Sequence, residues 1–110
     1  IVCTPELAPL RLAKLRCQET AAWGAPKDRV HVLLNRSHPG ELGAADLEKL
    51  IGHDVACVFP NDYRTLREAM SEGSIPSVKS VFGRSIMEFA GRLAGVETPK
   101  QGGLLKKLFG

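Results

Sequence analysis

Three short polar segments, each directly after an apolar run, hold the side chains best suited to chemistry. They lie at residues 4–6, 35–37 and 60–62. Asn35 is the strongest single candidate, because an amide offers a donor and an acceptor together and can therefore read the edge of a purine base. The alternative is that Asn35 bonds its own loop backbone, as asparagine often does in turns. Spacing alone leaves both possibilities open.

The remaining polar residues form no catalytic or metal-binding pattern. Glu6 and Asp62 could be imagined as an acid–base pair, yet no nucleophile accompanies them and a position at a helix start explains both. The three cysteines and three histidines have no metal-ligand spacing, and we expect free, buried thiols. The sequence contains no phosphate-binding loop of the G-x-x-x-x-G-K-[ST] kind. We therefore expect no catalytic residue and no metal site in this chain.

The apolar runs before these polar segments predict the strands that position them. The runs are rich in valine, do not alternate with polar residues, and lie at 1–4, 30–34 and 55–59. This character is typical of parallel strands covered on both faces. Apolar residues at helical spacing over 6–22 and 44–51 place one helix between each pair of strands. The pattern predicts a βαβαβ series in an α/β fold, a three-layer Rossmann-like parallel sheet.

Two further helices are expected after the third strand, at about 62–72 and 80–94. Asp62 is the predicted cap of the first of them, and Gly73 its end. We expect Leu50 and Met70 to face the core and Trp23 to close a helix end over it. Residues 1–95 then form one domain, followed by a Pro- and Gly-containing linker at 96–103.

The last seven residues, 104–110, form an amphipathic tail. On a helical wheel the apolar side chains Leu104, Leu105, Leu108 and Phe109 share one sector, and Lys106 and Lys107 lie opposite. This pattern is typical of a helix that lies in a membrane interface. The alternative is a terminal helix that docks on the core. Seven residues are too few for a stable isolated helix, which needs roughly 12 to 15, so we expect order only on a surface.

The charge distribution favours an anionic lipid surface as the partner of the tail. Lys100, Lys106 and Lys107 account for the whole formal net charge of +3, since residues 1–99 hold twelve basic and twelve acidic side chains. A neutral body argues against general nucleic-acid binding, which needs a basic face on the domain itself, and we expect no specific nucleic acid partner. The sequence has no secretory leader pattern and no apolar run of roughly 18 residues. We expect a cytoplasmic location, peripheral on the inner face of the cell membrane.

Several segments together resemble one protein family. VHVLLNRS and then VFPNDYRTLREAMSEG, followed by a Ser-containing link and a last helix, resemble the C-terminal half of the MinD/ParA-type deviant P-loop ATPases. The opening VCTPELAPLRLAKL is similar to the segment that follows the second switch in that family. The Pro-Asn-Asp-Tyr form resembles most closely the CpaE/TadZ branch, which localises Tad/Flp pilus assembly at cell poles. GGLLKKLFG is similar to the membrane-targeting helix of MinD proteins.

The resemblance implies an ATP-dependent dimer that associates with membrane when ATP is bound. By resemblance, Asn35 would contact the adenine, Arg36 would flank it, and the turn of Pro60, Asn61 and Asp62 would close its other side. The phosphate-binding loop, the Mg²⁺ ligand and both switch loops would lie upstream of Ile1. We therefore expect ATP and Mg²⁺ in a longer parent, and neither hydrolysis nor tight ATP binding by this chain alone.

Other functions remain open at this stage. The same fold could serve as a non-catalytic localisation scaffold, or as a MinD-like regulator of the division site or of flagellar number. The partners implied are a second copy of the chain and pilus-assembly or polar proteins. An unrelated receiver-like domain is less favoured, because the acidic cluster and lysine that such a module uses are not evident.

Overall fold

The computed structural model describes residues 1–40 and 42–96 as an α/β fold, which confirms the predicted class. Three parallel strands, β1 (Val2–Cys3), β2 (Val32–Ser37) and β3 (Val55–Pro60), form a sheet in the order β1-β2-β3. The helices are α1 (Leu7–Ala22), α2 (Ala44–Ile51), α3 (Tyr63–Glu72) and α4 (Val81–Leu93), with a short 3₁₀ turn at Lys27–Arg29. The chain therefore runs βαβαβ before its last two helices. Apart from Val96, the predicted linker and the whole predicted tail lie outside the described residues.

Helices α1 and α2 cover one face of the sheet and form the main core with it. The largest fully buried side chains are Leu10, Val32, Leu34 and Ile51, and Cys3, Ala13 and Leu47 complete the cluster. Helix α2 has the predicted bounds and ends at Gly52, which adopts the left-handed conformation at φ 72°. A glycine suits this position because it has no Cβ to clash there.

Helix α4 covers the opposite face of the sheet. Phe59 on β3 packs against Phe82 and Phe89 of α4, with ring centroids 6.0 and 6.2 Å apart. Phe59 follows Val58, which pairs with the core residue Leu34, so alternation along the strand directs Phe59 away from the α1–α2 layer. The sheet thus has a helical layer on each face, as the sequence predicts.

Three predicted core contacts are wrong. Trp23 is 79% exposed, because the sixteen-residue α1 rises about 24 Å and its last turn overhangs the shorter strands. Leu50 is 43% exposed, because it lies at the margin of the apolar side of α2, whose buried residues are Leu47 and Ile51. Met70 is 80% exposed, because α3 does not pack flat on the sheet and instead borders an open cavity.

The three cysteines are free thiols. Cys3 and Cys57 are buried and Cys17 is half-buried. Burial raises the pKa of all three thiols, so the reactive thiolate form is disfavoured. None of the helices in the described ranges combines the length and apolar character required to cross a membrane.

The start of α4 offers a local test of these assignments. The Ser80 hydroxyl accepts a hydrogen bond from the Gly83 N–H at 3.0 Å and donates one to the Ser77 carbonyl at 2.6 Å. Ser80→Ala should lower the free energy of unfolding by about 1 kcal/mol, the usual effect of losing an N-cap. Urea denaturation followed by circular dichroism measures this.

Asp62 provides the matched control for this measurement. It stands at the equivalent position before α3, yet its side chain makes no capping hydrogen bond, so the predicted cap is wrong. The reason is local geometry, since its φ of −103° and ψ of 59° depart from the extended backbone usual at an N-cap. Asp62→Ala should leave stability unchanged. An equal loss in both variants would contradict the assignment of the cap to Ser80.

Candidate functional site

A cavity of about 810 Å³ lies at the carboxyl edge of the parallel sheet. One wall comes from the strand ends and the start of α1, and the other comes from α3. The first wall consists of Glu6, Asn35, Arg36, His38, Pro60 and Asn61, and the second of Tyr63, Leu66, Arg67, Met70 and Ser71. Open α/β sheets bind ligands at this edge.

A bulge in β2 carries Asn35 and Arg36 into the cavity wall. The pairing of β2 with β3 shifts register between Leu34 and Ser37, and Arg36 has a φ of 58°. The sequence predicts a strand that ends at residue 34, and this boundary is wrong: the ladder resumes after the bulge and Ser37 pairs with Pro60. A bulge turns two consecutive side chains away from simple alternation, so both can line one cavity.

Arg36 is the one non-glycine residue in the described ranges with a positive φ. A long side chain in this region of backbone space costs on the order of 1 kcal/mol or more. Strain of this kind persists where surrounding structure holds it, and it concentrates at functional sites. The backbone conformation of Arg36 therefore supports its place in the site, independently of the chemistry of its side chain.

The side-chain amide of Asn35 is available to a ligand. It is half-buried and has no hydrogen-bond partner among the described residues. The alternative suggested by the sequence, a bond from Asn35 to its own loop backbone, is not present among residues 1–40 and 42–96. An amide without protein partners at a cavity wall keeps both its donor and its acceptor for a ligand that enters the cavity.

The turn after β3 is tied to β2 by its backbone and by one side chain. The Asn61 N–H donates to the Ser37 carbonyl at 2.9 Å, and Asn61 Nδ2 lies 3.1 Å from His38 Nε2. Pro60 and Asn61 line the cavity, whereas Asp62 is absent from its walls. Asp62 is the predicted site residue that the fold does not bring to this place.

Charges of both signs meet at the cavity. The pKa of the Glu6 carboxyl is lowered, first by a hydrogen bond from Thr4, then by its own backbone N–H, and further by the positive charge of Arg36 and by an electrostatic interaction with His38. Glu6 therefore remains ionised beside Arg36 at neutral pH. The guanidinium group and the amides of this wall can orient a planar polar ligand.

The α3 wall adds an aromatic and apolar surface that the sequence did not identify as part of the site. Tyr63 is 65% exposed, and the Arg67 guanidinium lies 6.0 Å from the centroid of its ring. Residues 63, 66, 67 and 70 fall on one side of a helix, so helical spacing could have identified this surface once α3 was placed at the cavity. His38 was missed because its partner Asn61 is 23 residues away.

The cavity has the composition of a binding site. Within residues 1–40 and 42–96, no group of three or more His, Cys, Asp or Glu side chains could hold a metal ion. Its walls offer the side-chain amides of Asn35 and Asn61, a guanidinium and a ring face. These groups suit recognition of a planar heterocycle with donors and acceptors on its edge.

Comparisons with known proteins identify the fold. No protein-family model matches the sequence, and no curated protein sequence does. Among solved structures, the cell division protein MinD of Aquifex aeolicus is similar with a TM-score of 0.74 at 20% identity, over 90% of this chain and 44% of that one. A ParA family ATPase from Chlorobium tepidum TLS is similar with a TM-score of 0.72 at 27% identity, over 84% of this chain and 40% of that one.

A third similar structure is the MinC:MinD cell division protein complex of Aquifex aeolicus, with a TM-score of 0.71 at 20% identity, over 90% of this chain and 43% of that one. The chain thus spans less than half the length of each of these proteins. Its fold is of the MinD/ParA type.

Proposed function

We propose that this chain is the adenine-side part of a MinD/ParA-type ATPase, with the cavity at the carboxyl edge of the sheet as its base site. The observation that carries the proposal is the convergence of Asn35, Arg36, Pro60 and Asn61 on one cavity. The family resemblance assigns these four residues, together with Asp62, to the adenine base. The fold type supports the same assignment, since the similar structures are MinD and ParA family proteins.

Each of the four residues has a distinct role in this proposal. The Asn35 amide donates to and accepts from the edge of the adenine ring. The planar guanidinium of Arg36 stacks on a face of the base, and Pro60 offers an apolar contact to the ring. Asn61 reads a second edge position. The triphosphate and Mg²⁺ belong to the upstream part of a longer parent, so this chain contributes base recognition and no chemical step.

The proposal extends to the C-terminal tail and to assembly. Leu104, Leu105, Leu108 and Phe109 would enter an anionic membrane interface while Lys106 and Lys107 contact lipid headgroups. One short helix binds weakly, and two tails held in a homodimer gain avidity. Dimerisation controlled by ATP would then couple the nucleotide state to location on the inner membrane. The cellular role we propose is positioning of Tad/Flp pilus assembly or of another machine at the cell pole.

A MinD-like regulator of the division site is the second candidate function. It is favoured by the presence of two MinD structures among the similar ones, one of them in complex with MinC. A non-catalytic scaffold of the same fold differs from both, because its dimerisation and targeting would not respond to ATP. Asn35→Ala in the full-length parent separates a nucleotide switch from a scaffold. If the substitution abolishes the membrane association that ATP promotes, the result supports a nucleotide switch. If membrane association is the same with and without the substitution, the result supports a scaffold.

Titration of the chain with adenosine tests the base site directly. The uncharged nucleoside reports on base recognition without the phosphate contacts. We expect millimolar binding, about −4 kcal/mol, with ¹H–¹⁵N shifts confined to the cavity residues. Asn35→Ala should weaken binding at least about tenfold, because the base loses its paired donor and acceptor.

Gln18→Ala is the control for this titration, since it removes a side-chain amide from α1 away from the cavity walls. Its affinity for adenosine should equal that of the unaltered chain. Chemical-shift changes spread over the whole surface would count against a base site at this edge of the sheet. An equal loss of adenosine affinity in Asn35→Ala and Gln18→Ala would do the same.

A further inference from the structure

The contact between His38 and Asn61 fixes which way the Asn61 side chain is turned. An amide nitrogen can donate a hydrogen bond and cannot accept one. With Asn61 Nδ2 3.1 Å from His38 Nε2, the histidine tautomer that accepts this hydrogen bond is the one with Nε2 unprotonated. The arrangement holds the amide nitrogen toward His38.

The other end of the same amide is left for a ligand. Asn61 Oδ1 has no hydrogen-bond partner among the described residues, and Asn61 and His38 both line the cavity. An oxygen without a partner at a cavity wall accepts from whatever donor enters. The Asn61 backbone is held independently, since its N–H donates to the Ser37 carbonyl at 2.9 Å, so only the side-chain orientation depends on His38.

We propose, resting on the base site argued above, that His38 is a positioning residue that selects adenine by orienting the Asn61 amide. With its nitrogen held by His38, Asn61 presents an acceptor to the exocyclic amino group of the base. A 6-oxopurine carries a carbonyl oxygen at that position, so two acceptors would face each other and one would remain unsatisfied. His38 itself does not contact the base.

The proposal requires that a donor at position 38 shift the preference toward a 6-oxopurine. A donor would attract Asn61 Oδ1, turn the amide over, and present its NH₂ group to the ligand. That group suits the carbonyl of a 6-oxopurine and not the amino group of adenine. The charged side chains that share the cavity with residue 38 are Glu6, Arg36 and Arg67. Because both probes are uncharged nucleosides, these charges should affect the affinity for adenosine and for a 6-oxopurine nucleoside nearly equally.

Adenosine and inosine are the appropriate pair of probes, because they differ at the positions read by the amide. We would measure both affinities by ¹H–¹⁵N titration of the 110-residue chain and of two variants. The unaltered chain should prefer adenosine by about tenfold. His38→Glu, whose carboxylate only accepts, should keep that preference, and His38→Lys, whose ammonium only donates, should shift it toward inosine by about tenfold or more.

The outcomes separate this inference from the base site. Equal preference in all three chains, with adenosine bound at the cavity, would overturn the role of His38 and leave the base site standing. Failure of the unaltered chain to bind either nucleoside would overturn the base site and this inference with it. Circular dichroism verifies that each variant is folded, which we expect because residue 38 is exposed.

Discussion

Gly83→Ala should destabilise the chain by about 2 kcal/mol, although alanine is the better helix former. Gly83 is buried in the first turn of α4. A Cβ there would clash with the Ser77 carbonyl oxygen and lie 2.9 Å from both the Ser77 carbonyl carbon and the Val78 Cα. Overpacking of this kind typically costs about 1 to 3 kcal/mol, and backbone atoms cannot rotate aside as a flexible side chain can.

Helix propensity acts in the opposite direction at this residue. Replacing glycine by alanine inside a helix normally stabilises it by about 1 kcal/mol. The close approach of three backbone atoms outweighs this gain, because relief would require the 77–78 turn to separate from α4. The Ser77 carbonyl in that turn also accepts a hydrogen bond from the Ser80 hydroxyl. Displacement of the turn would therefore break this hydrogen bond as well.

Urea denaturation measures the free energy of unfolding of Gly83→Ala and of a control glycine variant. Gly43→Ala is the matched control, because Gly43 precedes α2 with no atom within 4 Å of the added Cβ and with a negative φ. It should cost no more than about 1 kcal/mol. If Gly83→Ala costs no more than this control, the turn is free to move and the packing argument fails.

The sequence predicted those elements whose causes are local. Helix α2 has its predicted bounds because the apolar spacing of Leu47 and Ile51 and the stop at Gly52 lie within nine residues. The convergence of Asn35, Pro60 and Asn61 was also accessible, since parallel strands bring their carboxyl ends to one edge. These predictions needed only periodicity, turn chemistry and the direction of the strands.

The features that the sequence did not predict depend on contacts between distant segments. The bulge at Arg36 arises from pairing with β3, and nothing in an arginine indicates a positive φ. His38 enters the site through Asn61, on another strand end. Met70 has the spacing of a core residue, yet its environment is set by how α3 stands beside the strand ends. Local pattern cannot supply any of these.

Leu105→Glu should abolish binding of the chain to anionic lipid vesicles. Burial of one leucine side chain contributes about 1.5 to 3 kcal/mol. A carboxylate adds repulsion from the lipid surface, by analogy with the roughly 1 kcal/mol that each lysine contributes there. A loss of about 3 kcal/mol corresponds to more than a hundredfold in affinity, which takes a weak single helix below detection in a vesicle sedimentation assay.

Leu12→Glu makes the same chemical change elsewhere. Leu12 lies on α1 and is 55% exposed, so its substitution places an equal charge on the body of the chain. This variant should bind vesicles as the unaltered chain does. Loss of binding in Leu12→Glu would mean that the body and not the tail contacts lipid, and retention of binding by Leu105→Glu would contradict the membrane role of the tail.

Stability measurements on the same variants distinguish a membrane tail from a helix docked on the core. If residues 104–110 docked on the domain, Leu105→Glu would remove a buried side chain and lower the free energy of unfolding by about 2 kcal/mol or more. If the tail serves a lipid surface, urea denaturation without vesicles should give the same midpoint for the variant and the unaltered chain. The membrane tail and the docked helix therefore predict opposite results for Leu105→Glu, both in vesicle sedimentation and in urea denaturation. This one substitution tests whether the tail binds lipid and whether it contributes to the stability of the domain.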